Sequence, residues 1–432
     1  MSGADDRKSD VRRAAITGLG AITCIGNTLD EIASSLRAGR SGIVVDEDRR
    51  RMGFRSALTG RITGFDPSEI SPKKLRTMCE PAQYAYSAAR DAVADAGLTA
   101  DDLHGERCGV IFGNDSTVKP AVESVDITRN QGETHFIGGG HIFRSMNSTV
   151  TMNLGGILGV RGANWTVSAA CASGAHAAGQ AMMLIRSGLQ DVVITGGAQE
   201  TNWESMTGFD ALGVFSTRES EPERASRPFD AERDGLVPSG GAACLILEEL
   251  GRARARGARI YGIVRGYGFA SDGARHLAQP TGDGALRAMK MALADAAMNR
   301  DEMDYINAHA TSTPVGDHVE AQAIAELFGE DVPVSSTKSM TGHECWMAGA
   351  SEVLYTALMA RDGFLAPNVN FSRFDDECPR IRVITEAIPC GMRAALSNSF
   401  GFGGTNAALV LDFEPATRHE AGDAAPPRRK SE

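Results

Sequence analysis

The chain has 432 residues, 42% hydrophobic and 23% charged, which is the composition of an ordinary folded protein rather than a disordered or fibrous one. A formal net charge of −11 excludes a generally basic nucleic-acid surface. Glycine, at 49 residues, stands well above its roughly 7% average usage, a surplus that needs a structural cause. The start, MSGADDRKSDVRR, lacks the continuous apolar core of a signal peptide. Eight cysteines without a C-x-x-C pair then suggest reduced thiols in the cytoplasm. Residues 1–12 and the Pro/Ala-rich tail 414–432 are expected to be disordered. Even the longest charge-free stretches, such as 168–185, are diluted by Ser, Gly, His and Gln, so no membrane span is expected.

In chain order, Ala14 to Thr17 predicts a buried strand running into a tight turn at Gly18-Leu19-Gly20. Short apolar strands follow at 109–112, 165–167, 192–195 and 243–247. A second opening strand at 260–264 again meets a Gly-x-Gly, Gly266-Tyr267-Gly268, and strands follow at 305–306, 333–334, 381–384 and 407–411. Helical patterns lie between them, which predicts parallel sheets covered by helices on both faces. Two related halves, 13–255 and 256–413, are the expected architecture. Neither Gly-x-Gly extends to a G-x-G-x-x-G with a following acidic residue, so no dinucleotide site is predicted.

Cys171 has the most informative surroundings of the eight thiols, VSAACASGAH (167–176). A strand ends near Val167 and a helix of small residues begins near Ala172. The sulfur therefore sits at a helix N-terminus, where backbone N–H groups and the macrodipole favour the thiolate. The alternative is a small buried hydrophobe, the commonest fate of a free cysteine. His176, on the same helix, points away from the sulfur. The other cysteines are structural in this reading, with Cys345 set apart because it follows His343 by two residues.

NAHATSTPVGD (307–317) breaks at Pro314 and Gly316, which places His309 on a loop. Thr311 and Thr313 offer hydroxyls to an amide-bearing ligand, and Glu320, in the following helix, is positioned to accept from a lysine. STKSMTGH (336–343) puts His343 after a glycine and five residues beyond Lys338. One thiolate, two neutral imidazoles and a lysine that biases them form a coherent set for acyl chemistry. Zinc held by Cys171, His309 and His343 would use the same atoms, but no further ligand stands at suitable spacing. Near the end, SNSFGFGGTN (397–406) combines bulky rings with mobile backbone. It is either a gate whose N–H groups face the site or a plain glycine-rich turn.

With these motifs in this order, and RPFDAERDGLVPSGGAA (227–243) besides, the chain resembles the elongating β-ketoacyl-acyl-carrier-protein synthases of the thiolase-like superfamily over about residues 13–413. The resemblance implies an α/β, duplicated five-layer α-β-α-β-α fold, a homodimer, and a Cys-His-His site made of Cys171, His309 and His343. It implies decarboxylative condensation of malonyl-carrier protein with an acyl chain held on Cys171. The N–H groups of Cys171 and Phe402 would form the oxyanion hole, and Lys338 and Glu320 the supporting pair. Thr311 and Thr313 would contact phosphopantetheine, and Phe400 and Phe402 would form the gate. Acyl carrier protein is the implied partner, with no cofactor and no metal.

Two departures stand out. Ala310 replaces the family's glycine after the first histidine, and Glu344-Cys345-Trp346-Met347 replaces a run of small residues after the second. Trp346 is expected to narrow or redirect the acyl or subunit-contact region. Docking of an acidic carrier needs a local basic patch, for which Lys73, Lys74 and Arg76 are first choice and Arg49, Arg50 and Arg51 second. Two alternatives stay open: a ketosynthase of a discrete polyketide or polyene pathway, and a non-catalytic chain-length-factor-like subunit, which would be expected to lack the nucleophile.

Overall fold

A computed structural model describes residues 12–273 and 276–413 of the chain. Among these residues, eleven strands form one mixed sheet: β1 (Ala14–Ile22), β2 (Cys108–Gly113), β3 (Asn164–Val167), β4 (Val192–Gln199), β5 (Gly241–Glu249), β6 (Gly262–Ser271), β7 (Tyr305–Asn307), β8 (Pro333–Ser335), β9 (Arg382–Val383), β10 (Ala394–Gly401) and β11 (Thr405–Asp412). Five helices position the site: α1 (Glu80–Asp95), α2 (Ser173–Arg186), α3 (Asp283–Ala296), α4 (Pro314–Phe328) and α5 (Ala348–Asp362). The strand order is β9-β8-β7-β10-β11-β6-β1-β5-β4-β2-β3.

The order contains a duplication. Outward from the central antiparallel β1–β6 pair, β1-β5-β4-β2-β3 runs antiparallel, antiparallel, parallel, parallel. On the other side, β6-β11-β10-β7-β8 repeats the same directions. The sheet is therefore mixed, where strand–helix alternation predicted parallel pairing. The cause is the returning strands β5 and β11; β11 is joined to β10 by a three-residue turn, which permits only an antiparallel partner.

Helices α2 and α5 pack on each other between the two half-sheets. α2 touches β2 and β4 on one side and β11 on the other, while α5 touches β5 and β10. α1 covers β1, β5 and β4 from outside, and α3 covers β6 and β11. Helix, half-sheet, helix pair, half-sheet and helix make the five layers. The central position explains the sequence of α5, in which every residue from Ala348 to Met359 is buried.

The two Gly-x-Gly segments do not turn. They continue β1 to Ile22 and β6 to Ser271. A Cβ on Gly20 would lie 2.1 Å from the Ala88 carbonyl oxygen of α1, and one on Gly268 would lie 2.0 Å from the Ala288 carbonyl of α3. The same device thus seats one alanine-rich helix on each half-sheet. Likewise 397–401, expected within a loop, belongs to β10, leaving only Phe402 to Gly404 as the turn. The ends expected to be disordered lie outside the described residues apart from Arg12, which pairs with Asp191 and donates to the Ile185 carbonyl at 3.0 Å.

Gly20→Ala is expected to lower unfolding free energy by about 1–3 kcal/mol through overpacking against α1. A denaturant midpoint equal to that of the unsubstituted protein would refute the close-approach argument.

Candidate active site

Between β3 and α2 the chain makes a single tight turn, Ala170–Ala172, and Ala170 takes a positive φ of 47°. The Ser173 side chain fastens it, accepting from the Ala169 N–H at 2.9 Å and donating to the Ala170 carbonyl at 2.6 Å. This places Cys171 at the start of α2, as its flanking residues predict. The thiol is nevertheless buried, and burial pushes it up to about 11. The backbone N–H of Phe402, the Lys338 ammonium and the N–H of Cys171 itself pull the other way. Desolvation thus outweighs the helix N-terminus, and the resting group is a thiol rather than the expected thiolate.

His309 follows β7 and His343 follows the short helical turn Lys338–Thr341. Their ring centroids are 5.3 Å apart at 86°. Both are buried, and desolvation first, then the Lys338 charge, holds both well below the ordinary histidine value; His343 further depresses His309. The pair is consequently neutral. Neither Nδ1 has a hydrogen-bond partner, so no protein contact at that nitrogen fixes the tautomer of either ring. His343 is fixed through its backbone: its N–H donates to Val237 O at 2.7 Å, and Ser239 N–H donates to its carbonyl at 2.9 Å.

Lys338 is buried, and its Nζ bonds Glu352 on α5. Glu320, expected to serve that lysine, does something else. Its carboxylate accepts from the backbone N–H groups of His309 at 2.9 Å and Ala310 at 2.6 Å, and from Asn398 Nδ2 at 3.0 Å. Glu320 therefore holds the His309 loop, and Lys338 pairs with Glu352. The sequence signal for Glu352 was present: it is the lone carboxylate in the buried stretch of α5. Two more buried acids were missed. Asp317 accepts from the N–H groups of Thr311 at 2.9 Å, Ser312 at 3.1 Å and Thr313 at 3.2 Å. Glu344 is bound by Ser351 and, at 2.7 Å, by the Tyr355 hydroxyl.

Cys171, His309 and His343 line one cavity of about 460 Å³, together with Thr311, Thr313, Phe400 and Phe402. The threonine hydroxyls lie 3.1 Å apart. Phe402 caps the β10–β11 turn and stacks on Phe209 at 6.3 Å, while Phe400 lies 5.9 Å from His309. The turn is clipped to the Cys171 loop, since Thr405 Oγ1 donates to the Ala169 carbonyl at 2.8 Å. Trp346 is buried in the apolar cluster that contains Cys171, Met206, Phe215, Leu236 and Cys345, with its ring 6.1 Å from Phe209. His176, directed away from the sulfur, contacts the Tyr267 hydroxyl.

Lys73 and Lys74 lie on a short surface helix, Pro72–Leu75, which Arg76 ends, and none of the three is among the cavity-lining residues. Lys73 and Arg76 are exposed, whereas Lys74 Nζ bonds the Tyr86 hydroxyl at 2.8 Å. The second-choice patch is not one. Arg49 is 1% exposed and donates to the Leu58 and Thr201 carbonyls; Arg50 pairs with Glu47 and Glu219, and Arg51 with Asp48.

Family models described as "Beta-ketoacyl synthase, N-terminal domain" and "Beta-ketoacyl synthase, C-terminal domain" match residues 11–253 and 261–372. The chain is 45% identical over 406 residues to 3-oxoacyl-[acyl-carrier-protein] synthase 1 of Haemophilus influenzae, covering 93% of this chain and 99% of that one. It is 41% identical over 405 residues to the Escherichia coli protein of that name, with the same coverage. Among solved structures, a Beta-ketoacyl synthase from Burkholderia phymatum superposes with a TM-score of 0.89 at 37% identity, covering 94% of this chain and 100% of that one. A type II polyketide acyl-carrier protein in complex with its ketosynthase bound to the hexaketide gives 0.83 at 29% identity, covering 93% and 99%.

Glu352→Ala leaves the Lys338 ammonium buried without its partner and is expected to cost about 3–5 kcal/mol of stability. Chemical denaturation checks this, and a loss below about 1 kcal/mol would remove the pair from its assigned role.

Proposed function

The chain belongs to the β-ketoacyl synthase family, and from that premise we propose that Cys171, His309 and His343 carry out decarboxylative condensation of malonyl-carrier protein with an acyl chain bound to Cys171, in fatty acid elongation. The enzyme is an acyltransferase. The observation that carries the assignment of residues is the convergence of one thiol and two neutral imidazoles on a single cavity.

Cys171 Sγ attacks the carbonyl carbon of the acyl thioester, and the phosphopantetheine thiol leaves with the proton. In the second half-reaction the malonyl group loses carbon dioxide, and negative charge develops on its thioester oxygen. Two neutral N–H donors in a water-poor cavity meet that charge where it forms. The resulting enolate carbon attacks the Cys171 thioester. The N–H groups of Cys171 and Phe402, which already address the sulfur, hold the tetrahedral oxyanion until the cysteine departs. Thr311 and Thr313 bind the amides of the phosphopantetheine arm, and Phe400 and Phe402 gate it. Glu320 acts as a positioning residue for His309. The substrates bring their own prosthetic arm, and the reaction needs no separate cofactor.

The relatives at 45% and 41% identity favour fatty acid elongation over a polyketide pathway, since the ketosynthase bound to the hexaketide is 29% identical. The presence of Cys171 opposes a non-catalytic chain-length factor. The acyl carrier protein docks on Lys73 and Arg76, with Lys74 steadied by Tyr86 beside them. A homodimer is supported by β3, which has no neighbour on its outer side among the described residues, and by Trp165, Met183 and Phe269, all exposed. No helix among the described residues is long and apolar enough to cross a membrane, and all eight cysteines are free, consistent with a cytoplasmic enzyme. The halves 13–255 and 256–413 act together, the first supplying Cys171 and the second both histidines.

Mass spectrometry after exposure to acyl-carrier protein is expected to find a thioester on Cys171 that disappears when malonyl-carrier protein is added. Acylation elsewhere, or none, overturns the mechanism. Trp346 fills space beside Cys171, so Trp346→Gly is expected to lengthen the acyl products of a reconstituted assay. An unchanged length profile would sink that role for the tryptophan.

A further inference from the structure

Away from the catalytic cavity, three side chains of metal-ligating type converge. His318 lies near the start of α4, and Asp375 and Cys378 lie on the turn that follows Phe374. The nearest ligand atoms of the three all lie within 4.8 Å of one another. The turn is organised locally: the Asp375 Oδ1 accepts from the Cys378 N–H at 2.8 Å and the Glu377 N–H at 3.2 Å, which brings the thiol back beside the carboxylate. Cys378 is buried while His318 and Asp375 are half-buried, so the cluster is shielded on one side and open to solvent on the other.

The donor set is one imidazole nitrogen, one carboxylate oxygen and one sulfur. Borderline-soft Zn²⁺ suits that mixture better than Mg²⁺ or Ca²⁺, which prefer all-oxygen shells. Three protein ligands also leave a fourth tetrahedral position for water. The opposing charge is Arg233, whose Nη1 bonds Asp375 Oδ2 at 2.7 Å. That guanidinium has other work: its Nε donates to the Thr313 carbonyl at 3.2 Å and its Nη2 to the Pro314 carbonyl at 2.7 Å. It therefore ties Asp375 to the segment that presents Thr313 to the cavity.

We propose that His318, Asp375 and Cys378 form a zinc-class cation site outside the catalytic centre, coupled through Arg233 to the Thr311–Thr313 segment. On binding, the Cys378 thiol gives its proton to solvent and a sulfur–metal bond forms. The cation takes a share of the Asp375 carboxylate and weakens its hold on Arg233, which loosens the Thr313–Pro314 clamp. The occupied state then binds the phosphopantetheine arm less well. The coupling to substrate binding rests on the reading of Thr311 and Thr313 given above, whereas the site itself does not.

The test uses the full-length protein freed of metal, with zinc alone titrated against a chromophoric chelator. One equivalent per chain is expected in the unsubstituted protein and in Cys171→Ala. Cys378→Ser and the half-buried His318→Ala are each expected to weaken binding by more than about tenfold. Cobalt in place of zinc is expected to give a thiolate-to-metal charge-transfer band that Cys378→Ser abolishes. Binding no tighter than the chelator's, or binding lost in Cys171→Ala and retained in the other two variants, overturns the site. Zinc is also expected to raise KM for carrier-bound substrate in the unsubstituted protein and not in Cys378→Ser. A bound ion that leaves KM unchanged overturns the coupling.

Discussion

One buried positive charge organises the centre of this protein. Lys338 has its ammonium out of water, bonded to Glu352, and its field reaches both His309 and His343. Burial alone disfavours a protonated imidazole; a neighbouring cation disfavours it further. The two effects add, so both rings are held as neutral hydrogen-bond donors and acceptors. A condensation that builds negative charge on a thioester oxygen requires donors that are in place before the charge appears. Holding such a cation inside the fold requires carboxylates around it. Glu320, Glu344 and Glu352 are all buried, all feel Lys338, and all are raised by desolvation, Glu320 and Glu344 to about 7.

The duplicated topology explains how these groups meet. The first half delivers Cys171 on the turn entering α2, and the second delivers the histidines on loops following β7 and the Lys338 turn. The helices α2 and α5 bring the halves together because their contact is made of small residues. A Cβ on Gly174 would lie 2.8 Å from the Ala350 nitrogen, and one on Gly349 would lie 2.5 Å from the Ala175 nitrogen. Glu352 sits on the same helix α5, one turn beyond this crossing. Cys171 and the partner of the organising lysine are thus fixed by the same packed helix pair.

The division between what was legible and what was not follows the range of each interaction. Strand positions other than β10, the placement of Cys171 before a small-residue helix, and the loop placement of His309 depend on neighbours in sequence, and the structure has them there. The two Gly-x-Gly segments misled because a turn and a helix approaching a strand both require glycine, and only the helix 70 or so positions away from Gly20 distinguishes them. Glu320 misled for a similar reason. A carboxylate one helix turn past a loop is suited to a lysine or to backbone N–H groups, and here the loop's own N–H groups were nearer. Arg49 appeared in a run of three arginines that any sequence reading places on the surface, yet the carbonyls of nearby Leu58 and distant Thr201 receive it in the interior.

By itself the sequence determined the family, and it singled out one thiol, two imidazoles and a lysine as the candidate site. These are matters of residue type and local spacing, and four ordered motifs carry them. The tertiary structure alone decided the electrostatics. It buried Cys171 so that desolvation overrides its helix terminus, gave Lys338 to Glu352 rather than Glu320, and packed Trp346 into the apolar cluster that contains Cys171. Charge in a low-dielectric interior is set by which groups converge there, and convergence is a property of the packed fold rather than of neighbours along the chain.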